Sequence, residues 1–483
     1  MLRRPRPHGG AERRRRRPAA PRSLRRPAGL ALAAAWAVVP LLVDFDGLSP
    51  QGHRMLAVFG AAVVLWVSEA IPLHATAVGI IFAEILLVSD QALVDLPARY
   101  EAPPFADFYA TLAHPVLMLF LGGFVLAQAA TAYGLDRNLA GVLLRPFGRR
   151  PAAILAGLMG ITALLSMFMS NTATTAAMMA VVLPVAAGLP AGDPLRAGLV
   201  LAVPVAANVG GIGTPVGTPP NAIAIGLLAN EGVKVDFLRW TAIAAPVALV
   251  LLALAWLVLL RRFPTEVDEV ALDVGGEFDR SRPAVILYIT FAVTVGLWFT
   301  EPLHGIETSI TGFLPVVVLL ATGVFTTDDL RSISWDVLWL VAGGLALGAG
   351  VAATGLDDWV IDLVDWSDLS SVALLAGLSL VSLALGTVIS NSATANLLLP
   401  IGISLAASGA VDAEPLLLGA VVAITCSLGM ALPVSTPPNA IAYSTGLVNT
   451  AQLALVGVVV GLAGVALVVL VAPPVWDLLG LVP

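Results

Sequence analysis

Long apolar runs, separated by short polar segments, recur along the whole chain. Most runs have roughly 17 to 25 residues, the length that an α-helix needs to cross the hydrocarbon core of a bilayer. A β-barrel would show short segments of alternating polarity instead. The pattern predicts an all-α polytopic membrane protein with about 11 transmembrane helices. The predicted spans cover residues 28–44, 54–72, 76–93, 113–132, 197–230, 238–260, 283–300, 308–325, 335–353, 413–446 and 451–476.

Two further apolar stretches, 151–188 and 371–408, each have a polar kink at the centre, SNTATT from Ser170 and SNSATA from Ser390. Each stretch could form two spans or one re-entrant hairpin, and the fold prediction takes two re-entrant hairpins. Serine, asparagine and threonine are residues that cap helix N-termini. Each kink therefore predicts a tip at which a second helix begins.

Two of the predicted spans are broken by the same string, TPPNAIA, at residues 218–224 and 436–442. A proline pair frees backbone carbonyls and removes two donors. Inside a bilayer such a break is tolerated only where protein, water or a ligand satisfies the freed groups. Threonine as N-cap, followed by proline in the first turn, is also typical of a helix start. We therefore expect a new helix to begin at each break.

The two halves of the chain resemble each other. The similar pairs are LWVSEAIPLHAT (65–76) with LWFTEPLHGIET (297–308), and FLGGFVLAQAATAYGLD (120–136) with VAGGLALGAGVAATGLD (341–357), and the kinks and breaks follow in the same order. Between the span ending at Pro72 and its counterpart ending at Thr300, the chain makes an odd number of predicted crossings. An odd number reverses the direction of the second copy, so the prediction is two inverted-topology repeats.

Composition excludes a soluble globular protein, because 58% of the 483 residues are apolar, only 12% are charged and the mean hydropathy is +0.93. The single cysteine, Cys426, excludes a disulfide framework and is interpreted as a packing residue. A membrane-embedded enzyme would need a nucleophile with its base or a metal string such as H-E-x-x-H. The chain has no such string and no histidine at the kinks or breaks, so we predict that it is not an enzyme. A channel is the other rival, but inverted repeats with two broken helices favour alternating access.

Positive charge predicts the orientation in the membrane. The first 26 residues hold 11 of the 25 lysines and arginines, and residues 1–27 are expected to form a disordered basic cytoplasmic tail. With this tail inside, the other inner segments hold ten basic residues, including Arg261, and the outer segments hold four, including Lys234. This asymmetry follows the positive-inside rule. The prediction is a multi-pass protein of the cell (inner) membrane with its N-terminus cytoplasmic and its C-terminus outside.

The two kinks and the two breaks together predict a binding site. If both kinks are hairpin tips, four helix N-termini meet near the midplane, each with unpaired N–H groups and about half a positive charge. Such termini bind anions without a basic residue, and none of the four segments contains lysine or arginine. Unwound carbonyls beside them are oxygen ligands suited to a hard monovalent cation such as sodium. The recurrence of both elements in both halves favours a functional role over a plain helix kink.

These elements resemble those of a known family, the divalent anion sodium symporters, which carry dicarboxylates, citrate and sulfate and belong to the ion-transporter superfamily. The likeness covers nearly all of residues 28–483 and rests on the paired Ser-Asn-Thr kinks, the paired Thr-Pro-Pro-Asn breaks and LWVSEAIPLHATAV. It implies a homodimer in a lipid bilayer, with a scaffold domain that stays fixed while a transport domain slides, as in an elevator. It also implies import of a dianion coupled to sodium ions. For the basic tail, a topology signal or an over-extended start is favoured over nucleic-acid binding, so no nucleic-acid partner is expected.

The predicted substrate is a C4-dicarboxylate such as succinate, with an inorganic oxyanion such as sulfate, or dicarboxylate exchange without net sodium flow, as the alternatives. Carried over by position, the resemblance gives as substrate-binding residues Asn171, Thr172, Thr218, Pro219, Asn391, Ser392, Thr436 and Pro437. It gives as sodium ligands Ser166, Ser170, Asn171 and Gly217 for one site, and Ser390, Asn391 and Ser435 for its mate. Two positions depart from the pattern: Ser392 stands where the family has threonine, and Gly386 stands where the first half has Ser166.

The resemblance divides the chain into scaffold and transport parts. The parts are the tail 1–27, scaffold 28–150, transport 151–262 with a hairpin and a broken helix, cytoplasmic linker 263–282, scaffold 283–369, and transport 370–483 with the second hairpin and broken helix. Glu84 lies well inside a predicted scaffold span, so proton coupling and a structural role are both open for it. Glu69 and Glu301 stand at matching span ends and are expected to meet a loop backbone.

Overall fold

The structure, a computed structural model, describes residues 25–270, 278–366 and 369–482, and all regular elements in these ranges are helices. Residues 1–24 of the predicted tail lie outside the described residues, as do 271–277 of the predicted linker. The first helix that the structure describes is Arg25–Leu42.

The helices of the first half include two pairs interrupted where the kink and the break were predicted. They are α1 Arg25–Leu42, α2 Pro50–Ser68, α3 Leu73–Leu87, α4 Phe105–Ala110, α5 Pro115–Ala132, α6 Leu135–Leu144, α7 Pro151–Ser166, α8 Asn171–Gly188, α9 Leu195–Gly211, α10 Pro219–Asn230 and α11 Phe237–Arg262.

The helices of the second half follow the same order from α14 onward. They are α12 Arg282–Phe299, α13 Glu301–His304, α14 Thr308–Ala321, α15 Thr327–Arg331, α16 Trp335–Thr354, α17 Leu356–Asp362, α18 Ser371–Val388, α19 Asn391–Ala407, α20 Pro415–Ser427, α21 Pro437–Ser444, α22 Thr450–Ala466 and α23 Ala472–Leu478. A π-helical turn, Leu467–Val471, joins the last two.

Seven helical segments of the described chain are long and apolar enough to cross a membrane, by length and composition. They are Phe105–Ala132, Asn171–Gly188, Phe237–Arg262, Arg282–Phe299, Trp335–Thr354, Ser371–Val388 and Thr450–Leu478. Shorter apolar helices of 10 to 17 residues, α1, α3, α7, α9, α14 and α20 among them, accompany these seven. The prediction of an all-α polytopic membrane protein is therefore confirmed at this level.

Two predicted spans end earlier in the structure: α3 ends at Leu87 instead of residue 93, and α14 ends at Ala321 instead of residue 325. After α3 the polar residues Ser89, Asp90 and Gln91 already interrupt the apolar run. The guanidinium of Arg54 in α2 donates to the carbonyl oxygens of Leu87, Val94 and Asp95 at 2.8 to 3.0 Å, so it joins the segment after α3 to α2.

Both kinked stretches form two helices that pack against each other: α7 with α8, and α18 with α19. Ser170 and Ser390 are the N-caps of the second helix of each hairpin, and their hydroxyls accept from the N–H groups of Ala173 and Ala393. Both broken spans also have the predicted form. The chain leaves the helical conformation after α9 and after α20, and a new helix begins with the proline pair in its first turn.

The helices that precede the hairpins cross one another at closely packed glycines. Gly122 of α5 lies against the backbone of Gly312 in α14, and Gly343 of α16 lies against Ala77 of α3, so that a side chain at either position would collide with the facing helix. Such small-residue crossings are typical of helix packing in membranes. The neighbouring Gly344 of α16 instead faces α19.

The hairpins and the broken helices pack crosswise between the two halves. Helix α8 of the first hairpin contacts α21, which follows the second break, and α19 of the second hairpin contacts α10, which follows the first break. Each hairpin also packs on the helix before its own break, α9 or α20. The four interrupted elements therefore form one contiguous core.

Candidate functional site

At the first tip the side-chain amide of Asn171 lies among three oxygen atoms. The amide atom that faces them is 2.6 Å from Ser166 Oγ, 3.2 Å from the Ala207 carbonyl oxygen and 3.3 Å from the Gly217 carbonyl oxygen. The predicted ligands Ser166, Asn171 and Gly217 are thus brought together, with Ala207 as a fourth group from α9. Ser166 is fully buried.

The number of hydrogen-bond protons in this cluster limits what it can bind. The Ser166 hydroxyl has one proton for two acceptors, the Ala207 carbonyl oxygen at 2.8 Å and the Asn171 amide oxygen at 2.6 Å. When no cation is present, the amide nitrogen of Asn171 must turn inward and donate to the oxygens. When the amide oxygen turns inward, the cluster consists of four oxygen atoms, which suits a hard cation such as sodium.

The second tip repeats this arrangement with carbonyl oxygens only. The inward amide atom of Asn391 lies 2.9 Å from the Cys426 carbonyl oxygen and 3.2 Å from those of Gly386 and Gly429. The opposite amide atom lies 3.4 Å from the Ser427 carbonyl oxygen. Pointing the amide oxygen inward therefore gives the nitrogen an acceptor, and it leaves four oxygens facing one another, a set that suits a cation.

Gly386 contributes its backbone carbonyl where the first half contributes the Ser166 hydroxyl. A Cβ atom at Gly386 would lie 2.8 Å from the Cys426 carbonyl oxygen and 3.2 Å from the amide of Asn391. A serine would therefore crowd the cluster. Glycine at position 386 therefore replaces a hydroxyl oxygen with a carbonyl oxygen, and the second cluster has as many oxygens as the first.

The asparagine of each Thr-Pro-Pro-Asn string holds its own break in shape. The Asn221 amide nitrogen lies 2.8 to 3.2 Å from the carbonyl oxygens of Gly211, Ile212 and Thr214. The Asn439 amide nitrogen donates to two carbonyl oxygens of the second break at 2.7 and 2.9 Å. Both asparagines are fully buried. These contacts satisfy carbonyls that the interruption of the helix leaves free, as a bilayer interior demands.

A chain of contacts links both tips and both breaks. Ala207 faces Asn171, and the next residue, Asn208, donates to Thr436 Oγ1 at 3.1 Å and lies 3.4 Å from Asn439 Oδ1. Asn439 holds Met430, which follows the Gly429 that faces Asn391. The two interruptions are therefore neighbours in the folded chain, not distant kinks.

The N-termini of four helices, α8, α10, α19 and α21, belong to this core. The first N–H groups of each helix have no partner within that helix. Thr218 and Thr436 are the N-caps of α10 and α21, as predicted, but only Thr436 accepts a backbone N–H with its side chain. The segments around the tips and breaks contain no lysine or arginine. A bound anion would meet helix dipoles, N–H groups and uncharged side chains.

The remaining predicted site residues differ in exposure and partners. Thr172 and Pro437 are exposed, Asn171, Asn391, Ser392 and Pro219 are half-buried, and Thr218 and Thr436 are buried. Ser170 and Ser390 cap helices rather than contacting the clusters. The Ser435 hydroxyl donates to the Thr387 carbonyl at 2.6 Å, so it ties the second break to the end of α18.

Several residues of the core were missed from the sequence. These are Ala207, Asn208, Asn221, Gly386, Cys426, Gly429 and Asn439. For the two asparagines of the breaks a signal existed, since each belongs to the repeated string. For the backbone carbonyl oxygens that face the two tip asparagines there was no such signal. Every residue has a backbone carbonyl, and only the fold selects which one faces an asparagine.

The carboxylates singled out in the sequence lie away from this core. The Glu301 carboxylate accepts from the backbone N–H of Thr308 at 3.0 Å and also from its hydroxyl, so it meets a loop backbone as expected. Glu69 is the left-handed C-cap of α2. Glu84 is fully buried against Gly350 of α16, and its oxygens have no hydrogen-bond partner among the described residues.

A separate cavity of about 480 Å³ lies at the far ends of α10 and α19. Its polar lining residues are Asp107, Thr111, His114, Asn230, Glu231 and Ser404. None of the predicted site residues lines it. Across the described ranges there is also no group of three or more His, Cys, Asp or Glu that could hold a metal ion. Cation binding at the tips would therefore depend on neutral oxygens.

Comparison with known proteins agrees with this architecture. Residues 27–482 match the family described as sodium:sulfate symporter transmembrane region. The sodium-dependent dicarboxylate transporter SdcS of Staphylococcus saprophyticus is 31% identical over 477 residues, which cover 90% of this chain and 89% of the relative. The protein of the same name from Staphylococcus aureus strain USA300 is 29% identical over 460 residues, covering 87% and 85%.

Among solved structures, the crystal structure of the YdaH transporter of Alcanivorax borkumensis matches with a TM-score of 0.55 at 15% identity, covering 87% of this chain and 100% of that one. This likeness shows the fold alone. The family and the matched relatives are transporters, so the prediction that the chain is not an enzyme is confirmed. The resemblance found in the sequence is confirmed as well, and the chain is a multi-pass membrane protein that belongs to the sodium:sulfate symporter family.

Proposed function

We propose that this protein is a secondary active transporter that imports a divalent anion together with sodium, and that its substrate is a C4-dicarboxylate such as succinate. The observation that carries the proposal is the pair of oxygen clusters around Asn171 and Asn391, each placed at the N-terminus of a helix. A cation in each cluster would stand beside N–H groups that favour an anion. The relatives named as sodium-dependent dicarboxylate transporters support the choice of substrate.

In this proposal sodium is cargo held by neutral oxygens. The first ion is held by Ser166, Asn171, Ala207 and Gly217, with Ser170 at the cap beside them. The second ion is held by Asn391 and by the carbonyl oxygens of Gly386, Cys426 and Gly429, with Ser390 and Ser435 adjacent. Because the segments have no lysine or arginine, the bound sodium ions and the helix dipoles balance the charge of the dianion.

The proposed anion site lies between the tips and the breaks. Its residues are Asn171, Thr172, Thr218, Pro219, Asn391, Ser392, Thr436 and Pro437. The exposed side chains of Thr172 and Pro437 give an anion access, and the N-caps Thr218 and Thr436 begin the two helices whose N–H groups would receive it.

We further propose inverted repeats, an elevator-type movement and a homodimer. The glycine crossings of α5 with α14 and of α3 with α16 fit a rigid scaffold. The hairpins and broken helices form a contiguous core that contacts the scaffold through α16, α6 and α5, among other helices. A core that is held together internally can move as a body.

Uptake into proteoliposomes tests the function. Labelled succinate and labelled sulfate are offered with and without an inward sodium gradient. We expect concentrative succinate uptake that requires the gradient. Succinate counterflow that does not need sodium would support exchange instead, and uptake of neither anion would contradict the proposal.

Transport of an inorganic oxyanion is the second candidate, because the description of the matched family names sulfate. The same vesicles decide between the two. Sodium-driven sulfate uptake that succinate does not inhibit would favour the sulfate carrier, whereas sulfate uptake that succinate suppresses would show one site with a preference for the dicarboxylate.

A further inference from the structure

Asn208 is a buried asparagine of the first half that contacts the second break. It lies near the end of α9, its exposed fraction is 1%, and its amide nitrogen is 3.1 Å from Thr436 Oγ1. The same nitrogen is 3.4 Å from Asn439 Oδ1. The sequence points to Thr436 through the repeated string, but nothing in the string points to Asn208.

The hydrogen-bond geometry around Thr436 leaves one group unused. A threonine hydroxyl has one proton and two lone pairs. Thr436 Oγ1 accepts from the Asn439 backbone N–H at 3.4 Å and from the Asn208 amide at 3.1 Å. Both lone pairs are thus directed at protein donors. The hydroxyl proton has no acceptor among the residues that the structure describes, so it is available to a ligand.

We propose that Asn208 is a positioning residue that fixes the Thr436 hydroxyl as a donor toward the transported anion. A carboxylate or sulfate oxygen can only accept a hydrogen bond. A hydroxyl that is free to rotate would point a lone pair, rather than its proton, at the anion for part of the time. The Asn208 amide removes that option by occupying a lone pair. This inference rests on the proposed function, because it concerns the same anion site.

The two breaks are unequal in this respect. Thr218 and Thr436 are 218 positions apart, and the position 218 residues after Asn208 is Cys426. A thiol is a weak donor, and Thr218 makes no cap hydrogen bond with its side chain. The second break therefore presents an oriented hydroxyl, and the first presents a free one. We expect the second break to contribute more to anion affinity.

A double-mutant cycle tests the proposal. Asn208→Ala, Thr436→Val and the double variant are compared with the wild type in sodium-driven uptake of succinate, or of sulfate if that is the anion carried. We expect Asn208→Ala to raise KM for the anion about tenfold, as loss of a hydrogen bond to a charged group would, with the half-saturating sodium concentration unchanged. The double variant should equal Thr436→Val, because Asn208 acts through that hydroxyl.

Two further variants separate positioning from mere packing. Asn208→Ser keeps a donor and should recover part of the lost affinity, whereas Asn230→Ala, at the far exposed end of α10, should behave like the wild type. If Asn208→Ala fails to fold, Asn208→Ser and Thr436→Val carry the test. In that case the serine variant should keep a KM below that of Thr436→Val.

The outcomes distinguish this inference from the proposed function. If the wild type takes up neither anion, both are overturned. If the wild type transports but Asn208→Ala keeps a normal KM, the positioning role alone is overturned. The same holds if the effect of Asn208→Ala persists in full in the Thr436→Val background, or if it appears equally in the sodium dependence.

Discussion

An asparagine amide carries an acceptor and a donor at the same distance from the backbone, and both tips place such an amide among oxygens. With the nitrogen inward, Asn171 and Asn391 donate to those oxygens. With the oxygen inward, each completes a set of four oxygen ligands. In the function that we propose, a half-turn of one torsion angle would convert a self-satisfied cluster into a cation site, which alanine, serine or leucine cannot do.

Replacement of either tip asparagine should therefore abolish transport without unfolding the protein. We expect Asn171→Ala and Asn391→Ala each to reduce sodium-driven uptake to the level of empty vesicles, because each removes a group that serves the cation and the anion together. Size-exclusion profiles and thermal unfolding in detergent check folding. Near-normal uptake in either variant would contradict the site, and Asn230→Ala serves as the matched control.

Gly386 gives a second prediction at the residue scale. In Gly386→Ser the new Cβ would crowd the Cys426 carbonyl oxygen, which lies at 2.8 Å from the Cβ position. Overpacking of this kind costs about 1 to 3 kcal/mol, so we expect the half-saturating sodium concentration to rise by a factor between about 5 and about 150. Gly377→Ser on the same helix, where a Cβ meets open space, should leave sodium dependence unchanged. An unchanged sodium response in Gly386→Ser would show that this carbonyl is not a ligand.

At the scale of the element, the broken helices combine a helix start with an internal brace. Threonine and proline define where α10 and α21 begin, which is local chemistry that a sequence displays. The following asparagine reaches back over seven to ten residues to hold the unwound carbonyls. The string was therefore predicted as a break from its prolines, while the purpose of its asparagine became visible only in the folded loop.

Loss of the Asn439 contacts should destabilise the protein even when no ligand is bound. In Asn439→Leu the carbonyl oxygens of Met430 and Leu432 lose their donor. Each buried unsatisfied group costs about 1 to 3 kcal/mol, so thermal unfolding should occur at a clearly lower temperature even without sodium or anion. Asn230→Leu, at an exposed position, provides the comparison. An unfolding midpoint equal to that of the wild type would show that the brace does not stabilise the break.

At the scale of the whole molecule, the two halves repeat one order of elements: a glycine crossing, a hairpin, a helix, a break and a second helix. Their crosswise contacts, α8 with α21 and α19 with α10, make each half incomplete without the other. This arrangement places both tips and both breaks in one core. The order of elements could be predicted from the sequence. The crosswise packing of helices between the halves could not, because an apolar helix surface does not specify which helix packs on it.

Orientation in the membrane supplies the prediction at this scale. Charge asymmetry predicts that Lys234 lies outside and Arg261 inside. The only native thiol, Cys426, is fully buried, so single cysteines can be introduced into the natural chain. In intact cells Lys234→Cys should react with a membrane-impermeant maleimide, whereas Arg261→Cys should react only after the membrane is opened. The reverse pattern would overturn the assigned sides, and unmodified protein controls for labelling of Cys426.

The sequence by itself determined the class of protein, the approximate positions of the long apolar helices, and the points where the two kinks and the two breaks interrupt them. These features depend on local properties: runs of apolar residues, prolines that cannot continue a helix, and side chains that cap one. It did not determine that the guanidinium of Arg54 would hold the carbonyl oxygens at the end of α3 and in the segment that follows. Nor did it determine which backbone carbonyls surround Asn171 and Asn391, or that Asn208 would contact Thr436 across the two halves. Those are long-range contacts between groups that every residue possesses or that many positions could supply, and only the packing of the folded chain selects among them.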